Sequence, residues 1–88
     1  LLVQEHRDRI DEIVATYAQS WSLIRMPAVD RAIARVGVAE LLLRPEVQTA
    51  VAVSEAVEVA GVLSTEESAR YINGLLGAVA GVRERLTA

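Results

Sequence analysis

Apolar residues recur through most of this chain at steps of three and four, the spacing that lines side chains along one stripe of an α-helix rather than on alternate faces of a strand. The first stripe is Val3, Ile10, Ile13, Val14, Tyr17 and Trp21, with Arg7, Asp8, Asp11 and Glu12 facing away. It predicts a helix running to about Ser20. After a break at 22–26 stands Pro27, which suits a first helical turn because its missing N–H would have no partner there. Asp30 follows, near the positive end of the helix dipole. Val29, Ile33, Val36, Ala39 and Leu43, widened by Leu41 and Leu42, carry a second helix up to Pro45, because the residue before a proline is driven out of helical geometry. A linker at 46–49 leads to a third segment through Val51, Val53, Ala56, Val57, Ala60 and Leu63. Its valines suggest a strand, but Ser54, Glu55, Glu58 and the alanines keep the helical period. The run 64–68 then punctuates the chain. A hydroxyl of Ser64 or Thr65 can accept from the next turn, with Glu67 or Ser68 at the reciprocal position, so another helix starts here. This last helix buries Ile72, Leu75, Leu76, Val79 and Val82 and extends towards Leu86. The expectation is an all-α fold, an antiparallel bundle of about four helices joined by short connections.

With 88 residues, the chain has room for one domain and one modest core. Hydrophobic residues make up 52% of it, aromatics 3%, and Phe is missing, so the core is built from Leu, Ile, Val and Ala, which suits close helix packing. All nine basic residues are Arg. This reads as coding bias, with selection for bidentate phosphate contacts as the alternative. The net charge of −3 excludes a generally basic nucleic-acid binder, so any RNA contact must come from a local patch. Without cysteine there is no disulfide framework, thiolate metal site or Cys nucleophile. The apolar runs fall well below the ~18 residues of a membrane span, and no basic-then-apolar leader opens the chain; a cytoplasmic location is the default. Leu1-Leu2-Val3 already reads as helix, with no initiator Met, which suggests that upstream helices are missing.

Catalytic chemistry finds little support. The one histidine, His6, stands beside Arg7 and Arg9 early in a helix and reads as structural or solvated. Of the carboxylate pairs Asp11/Glu12, Glu55/Glu58 and Glu66/Glu67, only Glu55/Glu58 share a helix face. A solvated surface explains them better than an acid–base pair in a desolvated cleft. No glycine-rich phosphate loop follows a strand, and neither a metal site nor a cofactor is expected. Gly74, Gly77 and Gly81 cluster with Ala78 in the last helix. Each interior Gly weakens a helix by about 1 kcal/mol relative to Ala, so the cluster suggests close approach of another backbone; a frayed helix is the alternative.

Three blocks carry a resemblance. The stretch WSLIRMPAVDRAI at 21–33, extended by Arg35 and Glu40-Leu41-Leu42, resembles W-x-L-x-R-[LM]-x-x-V-[DE]-[RK]-A-[IV] of the NusB-type antitermination factors. VAVSEAVEVA at 51–60 resembles the V-A-I-N-E-A-[IV]-E-L-A of that family, and ESARYINGLL at 67–76 resembles its D-S-x-[KR]-F-[VI]-N-G-[VI]-L. Their shared order over nearly the whole chain makes the likeness specific, and it corresponds to the C-terminal part of the family domain. Departures exist: Ala39 stands where an aromatic is usual, Ser54 replaces Asn, and Gly61 replaces Lys.

The resemblance implies a non-enzymatic adaptor. NusB proteins pair with the ribosomal protein NusE, bind the boxA element of nascent RNA and act in the RNA polymerase antitermination complex. RNA contact at the start of the last helix falls here on Glu67, Ser68, Arg70 and Tyr71. A helix N-terminus offers N–H groups to phosphate, Arg70 a fork of donors, and Tyr71 a ring on which an unpaired base stacks. The competing reading packs Tyr71 into the core and leaves Arg70 solvated. Asp30 resembles the acidic position associated with NusE; its other reading is a first-turn helix charge. Asn73 reads as a cap or a crossing to a neighbouring helix. The Arg-rich first helix of the family is absent, so only part of its RNA surface is expected. Two further readings stand beside this one: a NusB-like RNA-binding domain of an rRNA cytosine methyltransferase, and a helical oligomerisation module. In the latter, loss of upstream helices would expose the stripe of the first two helices and favour a homodimer.

Overall fold

The computed structural model describes residues 6–18 and 25–87. Among them are five helices: α1 (Arg7–Tyr17), α2 (Ala28–Leu43), α3 (Thr49–Leu63), α4 (Glu66–Ala80) and α5 (Arg83–Thr87). No strand occurs among the described residues, and the valine-rich segment is helical throughout. Of the first expected stripe, Val3 and Trp21 lie outside the described residues. The rest behaves as anticipated, with Ile10, Ile13 and Val14 buried and Tyr17 half-buried.

Boundaries follow local chemistry. Pro27 caps α2 from just outside rather than occupying its first turn, in an extended conformation (φ −53°, ψ 146°), and its carbonyl accepts from Arg31 N at 2.9 Å. At the other end Arg44 N donates to Glu40 O at 3.1 Å before Pro45 stops the helix. α3 starts at Thr49, inside the expected linker. Thr65 caps α4, its Oγ1 accepting from Ser68 N at 3.0 Å.

The last helix is not continuous to Leu86. Gly81 N still bonds Gly77 O, but Val82 N reaches back only three residues to Val79 O, and this tightened turn separates α4 from the short α5. Arg83 supports the break. Its guanidinium donates to Leu41 O (2.8 Å), Thr49 Oγ1 (2.8 Å) and Arg44 O (3.0 Å), satisfying the Leu41 carbonyl, which Pro45 cannot serve for want of an N–H, and tying the end of α2 to the start of α3.

These contacts also define the packing directions. The starts of α2 and α4 meet at Asp30 and Ser68, and their later turns meet at Gly37 and Leu76; α2 and α4 are therefore parallel, with α3 antiparallel to both. Tyr71 Oη on α4 donates to Ala18 O after α1, while Arg9 at the start of α1 donates to Leu86 O, so α1 is antiparallel to α4. Arg35 grips Asp11 with two bonds, 2.7 and 3.0 Å, at a half-buried site between α1 and α2.

The core lies where α1, α2 and α4 converge: Ile10, Val14, Val38, Leu41, Ile72, Leu76 and Val79 are each at most 1% exposed. At about 1.5–3 kcal/mol per fully buried aliphatic side chain, these helices carry most of the stabilisation. α3 buries only Ala52 and Ala60. The close approach anticipated at the glycines of α4 occurs elsewhere. A Cβ on Gly74 or Gly77 would meet nothing within 4 Å, whereas one on Gly37 would lie 2.6 Å from Leu76 Cδ1. Gly37 is thus the residue that lets α2 and α4 pack closely. Gly74 and Gly77 lie on the exposed side of α4, which is regular through both, whereas Gly81 caps its end at the break.

Candidate nucleic-acid interface

The start of α4 is organised by hydroxyl groups. Ser64 Oγ and Thr65 Oγ1 donate to Ser68 Oγ at 3.0 and 3.1 Å, and Ser68 Oγ donates to Asp30 Oδ2 at 2.7 Å. Asp30 is fully buried in the first turn of α2, the third residue after its cap. A carboxyl at that position ordinarily reaches back to the N–H of the capping residue. Pro27 has none, so Asp30 turns across to α4 instead. Its other oxygen, Oδ1, is buried and has no hydrogen-bond partner among the described residues.

The four residues expected to touch RNA are therefore placed differently from one another. Ser68 is 5% exposed and its hydroxyl is engaged inside the fold. Glu67 and Arg70 are exposed on the first turns of α4. Tyr71 is half-buried, packed against the core while its hydroxyl donates to Ala18 O at 2.8 Å. Burial pushes that hydroxyl above its ordinary range. Beside it lies a hollow of about 250 Å³ lined by Tyr17, Ala18, Arg70, Tyr71, Gly74 and Leu75. Arg70, the edge of Tyr71 and the bare backbone at Gly74 share this wall. Asn73 is exposed and makes no side-chain hydrogen bond among the described residues, so it neither caps nor crosses to a neighbour within them.

Asp30, expected at a partner surface, is instead fully buried and bonded to Ser68 where α2 and α4 meet. The sequence reading named both residues but did not pair them. Their link spans 38 positions and has no periodic or local signature. Arg83 has no signature in the sequence for the same reason, because its three acceptors lie on α2, in the turn beyond and at the start of α3.

Known proteins are similar to this chain in sequence and in fold. The NusB family model matches residues 2–81. The transcription antitermination protein NusB of Kineococcus radiotolerans is 54% identical over 86 residues, 98% of this chain and 63% of that protein. Its counterpart in Beutenbergia cavernae is 61% identical over 75 residues, 85% of this chain and 49% of that protein. The solved structure of T. maritima NusB superposes with a TM-score of 0.85 at 34% identity, covering 90% of this chain and 56% of the other. The chain thus spans 49–63% of the length of these two relatives. A family match over almost every residue, joined to the same helical fold, means that this chain belongs to the NusB family.

Proposed function

We propose that this chain acts in transcription antitermination by binding a boxA-like single strand of RNA together with the ribosomal protein NusE, as part of the antitermination complex on RNA polymerase. The observation that carries the reading is the exposed Arg70 next to Tyr71 and the hollow at the start of α4, in a chain whose relatives are named transcription antitermination proteins. Arg70 supplies the phosphate contact. Tyr71 offers the exposed part of its ring to a base, and Glu67 accepts from a base amino group. Ser68 and Asp30 serve from below. Their bond holds the first turn of α4 against α2, so Asp30 supports NusE binding through the shape of that end of the bundle. The chain is net acidic, so binding is weak without NusE and falls steeply with salt.

The test is titration of a boxA-like RNA with NusE present. Arg70→Glu removes a phosphate contact and adds repulsion, and is expected to weaken binding at least about tenfold and flatten the salt dependence. Tyr71→Leu loses stacking of about 1–3 kcal/mol, whereas Tyr71→Phe keeps the ring and the affinity. Parental affinity in both Arg70→Glu and Tyr71→Leu, each verified as folded by circular dichroism, would show that RNA binds elsewhere.

A further inference from the structure

Among the described residues the stripe of α1 is buried at Ile10, Ile13 and Val14, but that of α2 is only partly so: Ile33 and Ala39 are buried, whereas Val29 and Val36 are exposed, as are Val51, Val59, Val62 and Leu63 of α3. Between α2 and α3 runs a channel of about 230 Å³ whose floor includes Ile33, Val36, Gly37 and Val59. Through Glu55 and Val59 it continues onto a shelf formed with Val62 and Leu63. Val36 is 50% exposed, Val62 76% and Leu63 64%. A continuous apolar strip of this kind on a small helical protein marks an interaction surface.

The rim identifies the occupant. Glu40, Glu55 and Glu58 border the channel and shelf, and among the described residues no basic side chain lines either. A second copy docked by the same face would bring two sets of these carboxylates together across an apolar contact, where like charges are poorly screened. Self-association is therefore disfavoured, and a cationic partner is favoured by the same groups. The shape is a furrow between antiparallel helices, which takes a third helix by packing ridges into grooves. From Glu55 to Leu63 the strip is about 12 Å long at ~1.5 Å per residue, two turns of such a helix.

We infer that the α2–α3 furrow is a docking site for an amphipathic helix of another protein, one with an apolar stripe flanked by Arg or Lys. It shares no residue with the surface around Arg70 and Tyr71, and stands or falls independently of the RNA reading.

The experiment uses two designed helical peptides of about three turns, with the same leucine stripe and either Lys or Glu on its flanks, titrated against the chain by fluorescence anisotropy. The Lys-flanked peptide is expected to bind at least about tenfold more tightly, with affinity falling as salt rises. Val36→Lys and Val59→Lys, both at exposed positions, should abolish binding without altering the circular dichroism spectrum or RNA binding with NusE. Glu55→Gln combined with Glu58→Gln should narrow the difference between the peptides. Equal binding of the two peptides, or binding of neither, overturns the inference. So does sedimentation showing a dimer of this chain that Val59→Lys dissociates, since the furrow would then be filled by a second copy.

Discussion

Ser68 donates its hydroxyl proton to Asp30 across 2.7 Å, joining the first turns of two parallel helices, α2 and α4, at a point where both side chains are buried. The same serine receives two hydroxyl donors and supplies the N–H that Thr65 caps. Ser68→Ala would leave both oxygens of Asp30 unpaired in the interior, a loss of about 1–3 kcal/mol. Residues that act as one network are not additive. In urea denaturation, Ser68→Ala combined with Asp30→Asn should therefore lose less stability than the sum of the single changes.

Arg83 holds three acceptors, one on α2, one in the turn after it and one at the start of α3. Truncation to Ala should lower stability by about 1.5–3 kcal/mol, the range for hydrogen bonds to a charged group. Lys offers a point charge without the planar fork, so Arg83→Lys should recover only part of it. Hydrogen exchange at 44–49 should speed up in Arg83→Ala well before the centre of α2 is affected.

Two glycine substitutions should have opposite signs. Gly74→Ala adds a methyl in open space and should stabilise by about 0.5–1 kcal/mol, since Ala is the better helix former. Gly37→Ala places a Cβ 2.6 Å from Cδ1 of Leu76, which is fully buried and hemmed in. Overpacking of about 1–3 kcal/mol should outweigh the propensity gain. Thermal unfolding of the two variants reads the difference directly.

Burial raises the Tyr71 hydroxyl above its unfolded value of 10.0. In the interval between the two values the folded state holds a proton that the unfolded state has released, so stability falls with rising pH. The contribution is complete below pH 10 and disappears as pH climbs through the folded value. Stability measured between neutral and strongly alkaline pH should therefore decline less steeply in Tyr71→Phe than in the parent.

The helical architecture and family were legible in the sequence because both depend on local spacing. The three- and four-residue stripes placed Ile10, Val14, Leu41, Ile72 and Leu76 inside, Pro45 ended α2, and the hydroxyls at 64–68 started α4. The order of the three motif blocks carried the family. Exposure of Arg70 was readable from the same period. Tertiary structure alone decided the rest, because each remaining feature joins residues far apart in the chain. Asp30 became a buried partner of Ser68 only when α2 and α4 lay parallel, and Gly37 rather than Gly74 proved to be the tight contact because of which faces met. Arg83 found its acceptors only once the α2–α3 turn was in place. A helical period specifies which side of a helix is apolar, but not which other helix covers it. The furrow of Val36 and Val59 is therefore a property of the assembled bundle, as is the hollow beside Tyr71.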